Sequence, residues 1–231
     1  MDTAIKRSLS TVVCTTLLLG SGLAAAAELT SLETRWLTAG LPVLDYAKRE
    51  LGLPVDITVQ PQARAGDVPV ALGYEAGRCK LVLSLRGNAG AEDIFKSVPA
   101  AQQPLMIEAM FAHELAHCWR YAQGEWHVTP AGFAQLPETA PASAQALQQT
   151  RREEGFADLV ALAWTQQRHP GQYGAVAAWM RTVRSDDQSG AAGSHSTMAW
   201  LQLARHGSAF NSRLPLFEQA GSLWRQGLAR E

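Results

Sequence analysis

Within Phe111–Trp119, FAHELAHCW, two histidines and a glutamate stand close enough to serve one metal ion. An α-helix advances 3.6 residues per turn, so His113 and His117 share a face and both imidazoles can reach a single cation. Glu114 is rotated by about 100° from His113, outside the ligand row, where it can address a bound water. The spacing is the HExxH zinc pattern, in which the glutamate is the general base of a metal-assisted hydrolysis. Met110, Phe111, Ala112, Leu115, Ala116 and Trp119 make this helix largely apolar. Burying two imidazoles and a carboxylate there is costly without a partner such as a metal ion.

A catalytic zinc site takes three protein ligands and keeps one position open for water. His127 lies ten residues beyond His117. The longer pattern HExxHxxGxxH, however, requires a glycine where this chain has Arg120, so His127 is read as a loop residue. The stretch REEGFAD offers Glu154 and Asp158, four residues apart on one helix face. Glu154 is the expected third ligand, with Asp158 accepting a hydrogen bond from the far nitrogen of a ligating histidine. Glu153 is the fallback ligand, because adjacent glutamates are not separated by sequence. The competing reading is a solvated acidic face paired with Arg151 and Arg152. Gly155 and Ala157 are expected to let this helix approach the HExxH helix closely. Cys118 is rotated about 100° from His117 and stays out of the site.

The set His113, Glu114, His117, Glu154 and Asp158 resembles the gluzincin metallopeptidases, in which HExxH is followed by a glutamate ligand in ExxxD. It looks most like the branch containing the CAAX prenyl proteases and periplasmic metallopeptidases with chaperone roles, where a histidine follows in a THP-like motif. His195, in GSHSTMAWLQLARH, occupies the matching place, flanked by Ser194 and Ser196 instead of threonine and proline. The resemblance implies a zincin-like fold, one Zn(2+) per chain, a peptide or protein substrate, and a role for His195 in stabilising the tetrahedral oxyanion. The other reading of His195 is an exposed histidine in a Gly- and Ser-rich loop. A hydrophobic hairpin before the HExxH helix also fits, since gluzincins lay extended substrate along an edge strand; CKLVLSL is the expected edge. Two other functions stay open: a metal-bound, chaperone-like binding module with little turnover, and a hydrolase acting on a non-peptide amide.

The elements that must position these residues read as α+β. Helical spacing over 31–51 is interrupted by Gly40 and Pro42, giving two short helices or one kinked helix. VDITVQ alternates as a strand, and VPVALGYEAGRCKLVLSL reads as a hairpin turning at EAGR, so a small antiparallel sheet is expected against a mostly helical domain. Pro104 suits the first turn and Gly124 the C-cap of the HExxH helix. A loop follows over 125–141, then a long helix capped by Ser143 and ended by Pro170 and Gly171, then helices near 173–184, 198–206 and 214–228. Trp119, Trp164, Trp179 and Trp200 fall at apolar helical positions and are expected in the core.

The chain has 231 residues, 47% hydrophobic and 18% charged, enough for one domain with an ordinary core. A formal net charge of -1 supplies no global attraction to nucleic acid or an anionic membrane. Lys6 and Arg7 precede the apolar run TVVCTTLLLGSGLAAAA, which reads as a signal peptide cleaved after Ala27. A single mature domain over 28–231 is expected, periplasmic or secreted, with no membrane span left. Cys79 and Cys118 then remain, as a disulfide or as two buried thiols.

Overall fold

The computed structural model describes residues 28–62, 64, 67–186 and 192–230. The proposed signal peptide lies outside these residues.

Helix α1 (Ser31–Arg49) starts with a reciprocal cap, the Thr30 hydroxyl accepting from the Glu33 amide and the Glu33 carboxylate accepting from the Thr30 amide. It continues through Pro42 as one helix. Trp36, Gly40, Val43 and Ala47 form its buried stripe. Gly40 is needed there because a Cβ would lie 2.2 Å from the ring of Phe111.

Strands β1 (Val55–Pro61), β2 (Val70–Glu75) and β3 (Arg78–Arg86) form one sheet in the order β1-β3-β2. Ala76 and Gly77, both at positive φ, close the β2–β3 hairpin at EAGR. The sheet is mixed and not antiparallel throughout: β1 pairs with β3 in parallel, β2 with β3 antiparallel. CKLVLSL is therefore the central strand. Its alternation reflects burial, with Cys79, Leu81, Leu83 and Leu85 all in the core. Strand β2 is the edge strand on the side of His113 and Glu114.

Helix α2 (Gln103–Ala122) carries HELAH and packs against α1, α3 and β2. Helix α3 (Ala142–Arg168) is buried continuously from Arg152 to Thr165, so it is the molecule's central rod. It begins at Ala142 behind Pro141, with no side-chain cap, so Ser143 is already inside the helix. Helices α4 (Tyr173–Asp186), α5 (Met198–Leu203) and α6 (Leu216–Leu228) complete the chain around α3. Trp164, Trp179 and Trp200 are buried, while Trp119 packs partly buried against the core, stacked on Phe217.

Gly155 allows a close approach, but to a different neighbour from the one its position suggests. A Cβ there would meet the Trp200 ring of α5 at 2.5 Å. Trp200 in turn donates to the Trp224 carbonyl of α6, at 3.0 Å.

Cys79 at the start of β3 and Cys118 of α2 form a disulfide, with Cα atoms 5.6 Å apart. Such a bond points to an oxidising, extracytoplasmic compartment. No helix among the described residues is long and apolar enough to cross a membrane.

Candidate metal centre

One turn of α2 separates His113 from His117, and their Nε2 atoms approach to 3.1 Å. Helix α3 brings Glu154 onto the same point: Oε2 lies 3.3 Å from His113 Nε2, and Oε1 lies 3.3 Å from His117 Nε2. Each residue thus offers one ligand atom to a common centre, a group able to hold a metal ion. Without an ion, two imidazole nitrogens and a carboxylate would face one another with only shared protons to reconcile them.

Asp158, fully buried, organises the site from behind. Its Oδ1 lies 3.0 Å from His113 Nδ1, which fixes Nε2 as the atom turned toward the centre. Arg184 of α4 donates to both Asp158 oxygens, at 2.9 and 2.6 Å, and also to Glu154 Oε2 at 3.3 Å. Thr197 Oγ1 donates to Asp158 Oδ2 at 2.5 Å. Arg184 and Thr197 carry no local motif, and sequence reading passes over them. The only signal near Thr197 is its place two residues after His195.

Burial disfavours the His113 imidazolium, yet the carboxylates of Glu154 and Asp158 outweigh burial and hold its pKa up at about 10. Burial opposes ionisation of Asp158 as well, but Arg184 and His113 keep it well below the usual carboxylate range. Glu154 is lowered too, its own desolvation overcome by His113 and His117. Glu114 moves the other way: desolvation raises its carboxyl, against the pull of the two histidines. A carboxylate raised in this way is the better proton acceptor near neutral pH.

Glu153, the fallback ligand, is committed elsewhere. Arg120 grips both its oxygens, at 3.0 and 2.9 Å, and the backbone N–H of His127 donates to it at 2.8 Å. Arg120 also donates to Glu125 and to the Val128 carbonyl, while Arg152 donates to Thr129 and the Ala134 carbonyl. The buried charges at 120, 152 and 153 therefore pin the loop after α2. They are not a solvated acidic face.

His127, left in that loop, is absent from the ligand group and stacks on Trp126. Trp126 stacks on Tyr121 and meets the His117 ring edge-on at 5.4 Å. His117 Nδ1 is buried without a hydrogen-bond partner among the described residues, so its ring is steered by packing where His113 is steered by a carboxylate. Cys118 points away into its disulfide.

His195 ends a short turn, Ala192–His195, whose Gly193 carbonyl accepts from Arg151 Nε at 2.8 Å. Its Nε2 lies 3.4 Å from Glu154 Oε2, and its side chain is 39% exposed. It lines the same cleft as Glu114 without belonging to the ligand group. The cleft, about 430 Å³, is bounded by α2, by α4 and by residues 68–72 at the edge of the sheet. Comparison of the sequence with protein-family models, and with curated proteins and solved structures, finds no match.

Proposed function

We propose that this chain is an exported zinc-dependent peptidase of gluzincin type, a single zincin-like domain once the signal peptide is removed. The carrying observation is that His113 Nε2 and His117 Nε2, 3.1 Å apart, each lie 3.3 Å from the Glu154 carboxylate, at Oε2 and Oε1 respectively, beside Glu114 in one cleft. A tetrahedral zinc with ligand bonds of about 2.0–2.1 Å requires ligand separations of roughly 3.3 Å. Two imidazoles and one carboxylate are also the donor set of a catalytic, rather than a closed structural, zinc site.

Zinc held there would supply a Lewis acid for a carbonyl and lower the pKa of a water in its open position. Glu114 accepts the proton of that water as its oxygen bonds to the peptide carbonyl carbon. It then delivers the proton to the amine nitrogen as the C–N bond breaks. His195, at the rim, donates a hydrogen bond to the oxygen that gains charge. Arg184 and Asp158 keep Glu154 and His113 in place throughout.

Peptide is favoured over other amides by β2. The Pro69 carbonyl accepts from the Ser84 amide, and the antiparallel register then turns the amides and carbonyls of Val70 and Leu72 away from β3. An extended chain can add to that edge and lie across the metal centre. The test is elemental analysis of the mature protein beside the Glu114→Gln variant, with both assayed on a peptide library. We expect near-stoichiometric zinc in both and hydrolysis only in the wild type. Equal hydrolysis by the variant would remove Glu114 from the mechanism, and no zinc in a metal-replete preparation would remove the reading itself.

A further inference from the structure

We propose that Trp126 is a positioning residue for the metal centre, holding the His117 ring by packing where His113 is held by a carboxylate. The inference rests on the metal centre of the peptidase reading and not on turnover.

His113 is oriented by Asp158, whereas His117 Nδ1 is buried with no hydrogen-bond partner among the described residues. A ligating imidazole with no such partner turns about its Cβ–Cγ bond unless packing stops it. Trp126 supplies that packing. Tyr121 stands one turn beyond His117 on the same face of α2, and the Trp126 indole stacks on it at 4.1 Å and 15°. His127 stacks on Trp126 at 4.7 Å and 25°. Two rings so nearly parallel, and so close to the indole centre, have no room side by side on one face, so Trp126 is sandwiched between them. Only its edge is left for His117, whose ring it meets at 5.4 Å and 81°. Tyr74 of β2 lengthens the stack by one ring, 5.3 Å from Tyr121 and parallel to within 6°.

The backbone is arranged to aim this indole. Residues 125–128 form a tight turn, closed by the Val128 amide donating to the Glu125 carbonyl at 3.0 Å. Trp126 and His127 are its central residues, and His127 has φ 61°, the left-handed value that the third position of a type II turn requires and that usually falls to glycine. A side chain there costs strain, which persists only where the surroundings over-determine it. Those surroundings are present. The Glu125 amide donates to the Arg120 carbonyl at 2.9 Å, Arg120 donates to the Val128 carbonyl at 3.1 Å, and the His127 amide donates to Glu153 at 2.8 Å. With three fastenings, no single one carries the turn.

Zinc affinity should be measured by chelator competition, and the visible spectrum of the Co(2+)-loaded protein recorded, for the wild type, Trp126→Ala, Trp126→Phe and His127→Gly. We expect Trp126→Ala to bind zinc about 10- to 100-fold more weakly, with an altered Co(2+) spectrum, and Trp126→Phe, which restores a flat ring, to regain most of both. His127→Gly suits the left-handed position and removes one side of the sandwich, so it should fold as the wild type does yet bind zinc more weakly. Wild-type zinc affinity in both Trp126→Ala and His127→Gly, or weakened zinc binding with an unaltered Co(2+) spectrum, would overturn the role of Trp126 and leave the metal centre intact. A wild-type protein that takes up no zinc would overturn both.

Discussion

Glu153 and Glu154, neighbours on α3, send their carboxylates to different helical faces: Glu153 to the guanidinium of Arg120, Glu154 to the imidazoles of His113 and His117. One helical step of about 100° separates a structural ion pair from a ligand.

That division gives opposite expectations for two adjacent alanine substitutions. Glu154→Ala should lose most bound metal while the fold persists. Glu153→Ala should keep its metal but lose about 3 kcal/mol of stability, because Arg120 loses its buried partner and keeps only the half-exposed Glu125 as a counter-charge. Elemental analysis and urea unfolding of both variants check this. Metal loss in Glu153→Ala with full retention in Glu154→Ala would reverse the ligand assignment.

Metal and proton compete for His113. With its pKa raised to about 10, the metal-free protein carries the imidazolium at neutral pH, whereas a metal requires the neutral ring. Binding at pH 7 should therefore release about one proton, and affinity should climb with pH toward 10. The raised pKa also stabilises the metal-free fold fully below about pH 6.5, a contribution lost as pH rises through the folded value. Calorimetry in buffers of different ionisation enthalpy measures the proton count; zero release would contradict the arrangement.

Asp158→Asn keeps the shape but removes the charge that orients His113. Metal affinity should weaken about 10- to 100-fold. The wild-type carboxyl is held below its ordinary range, so its stabilisation is complete above about pH 4 and is lost as pH falls from there. The variant should show a shallower acid limb in thermal unfolding measured from pH 5 to pH 2.

Gly155→Ala tests the packing behind the site. An added methyl on a helix is ordinarily favourable, but here it would sit 2.5 Å from a buried indole. We expect about 1–3 kcal/mol of destabilisation. A rise in melting temperature would show that Trp200 can step aside.

Replacing Cys79 and Cys118 together with alanine should cost on the order of 4 kcal/mol, the loop-closure value for a bridge between residues 39 apart in sequence. Unfolding with and without reductant should show the effect in the wild type and not in the double variant.

The sequence displays those parts of the site that depend on helical period. HELAH and ExxxD each arise from neighbours along one element, and the hairpin at EAGR follows from two strands meeting at a turn. Strand order is a different kind of fact, because alternation in CKLVLSL reports burial and not which strands flank it. The parallel pairing of β1, and hence the place of β2 at the cleft, had to come from the structure. Arg184 on α4 and Thr197 just before α5 reach Asp158 from 26 and 39 residues away, without any local pattern. Nor does spacing reveal that Gly155 makes room for Trp200, or that Arg120 and Arg152 spend their charges on a loop.

Helix α2 is fastened at three places: Phe111 sits in the hollow at Gly40, Cys118 is bonded to Cys79, and Arg120 is locked to Glu153. These anchors bracket His113 and His117 along the helix, and none of them involves a metal ion. The entropy of bringing the two imidazoles into register is therefore lost when the chain folds and not when metal arrives. An ion meets a finished chelate, so removing and restoring it should leave the backbone where it was.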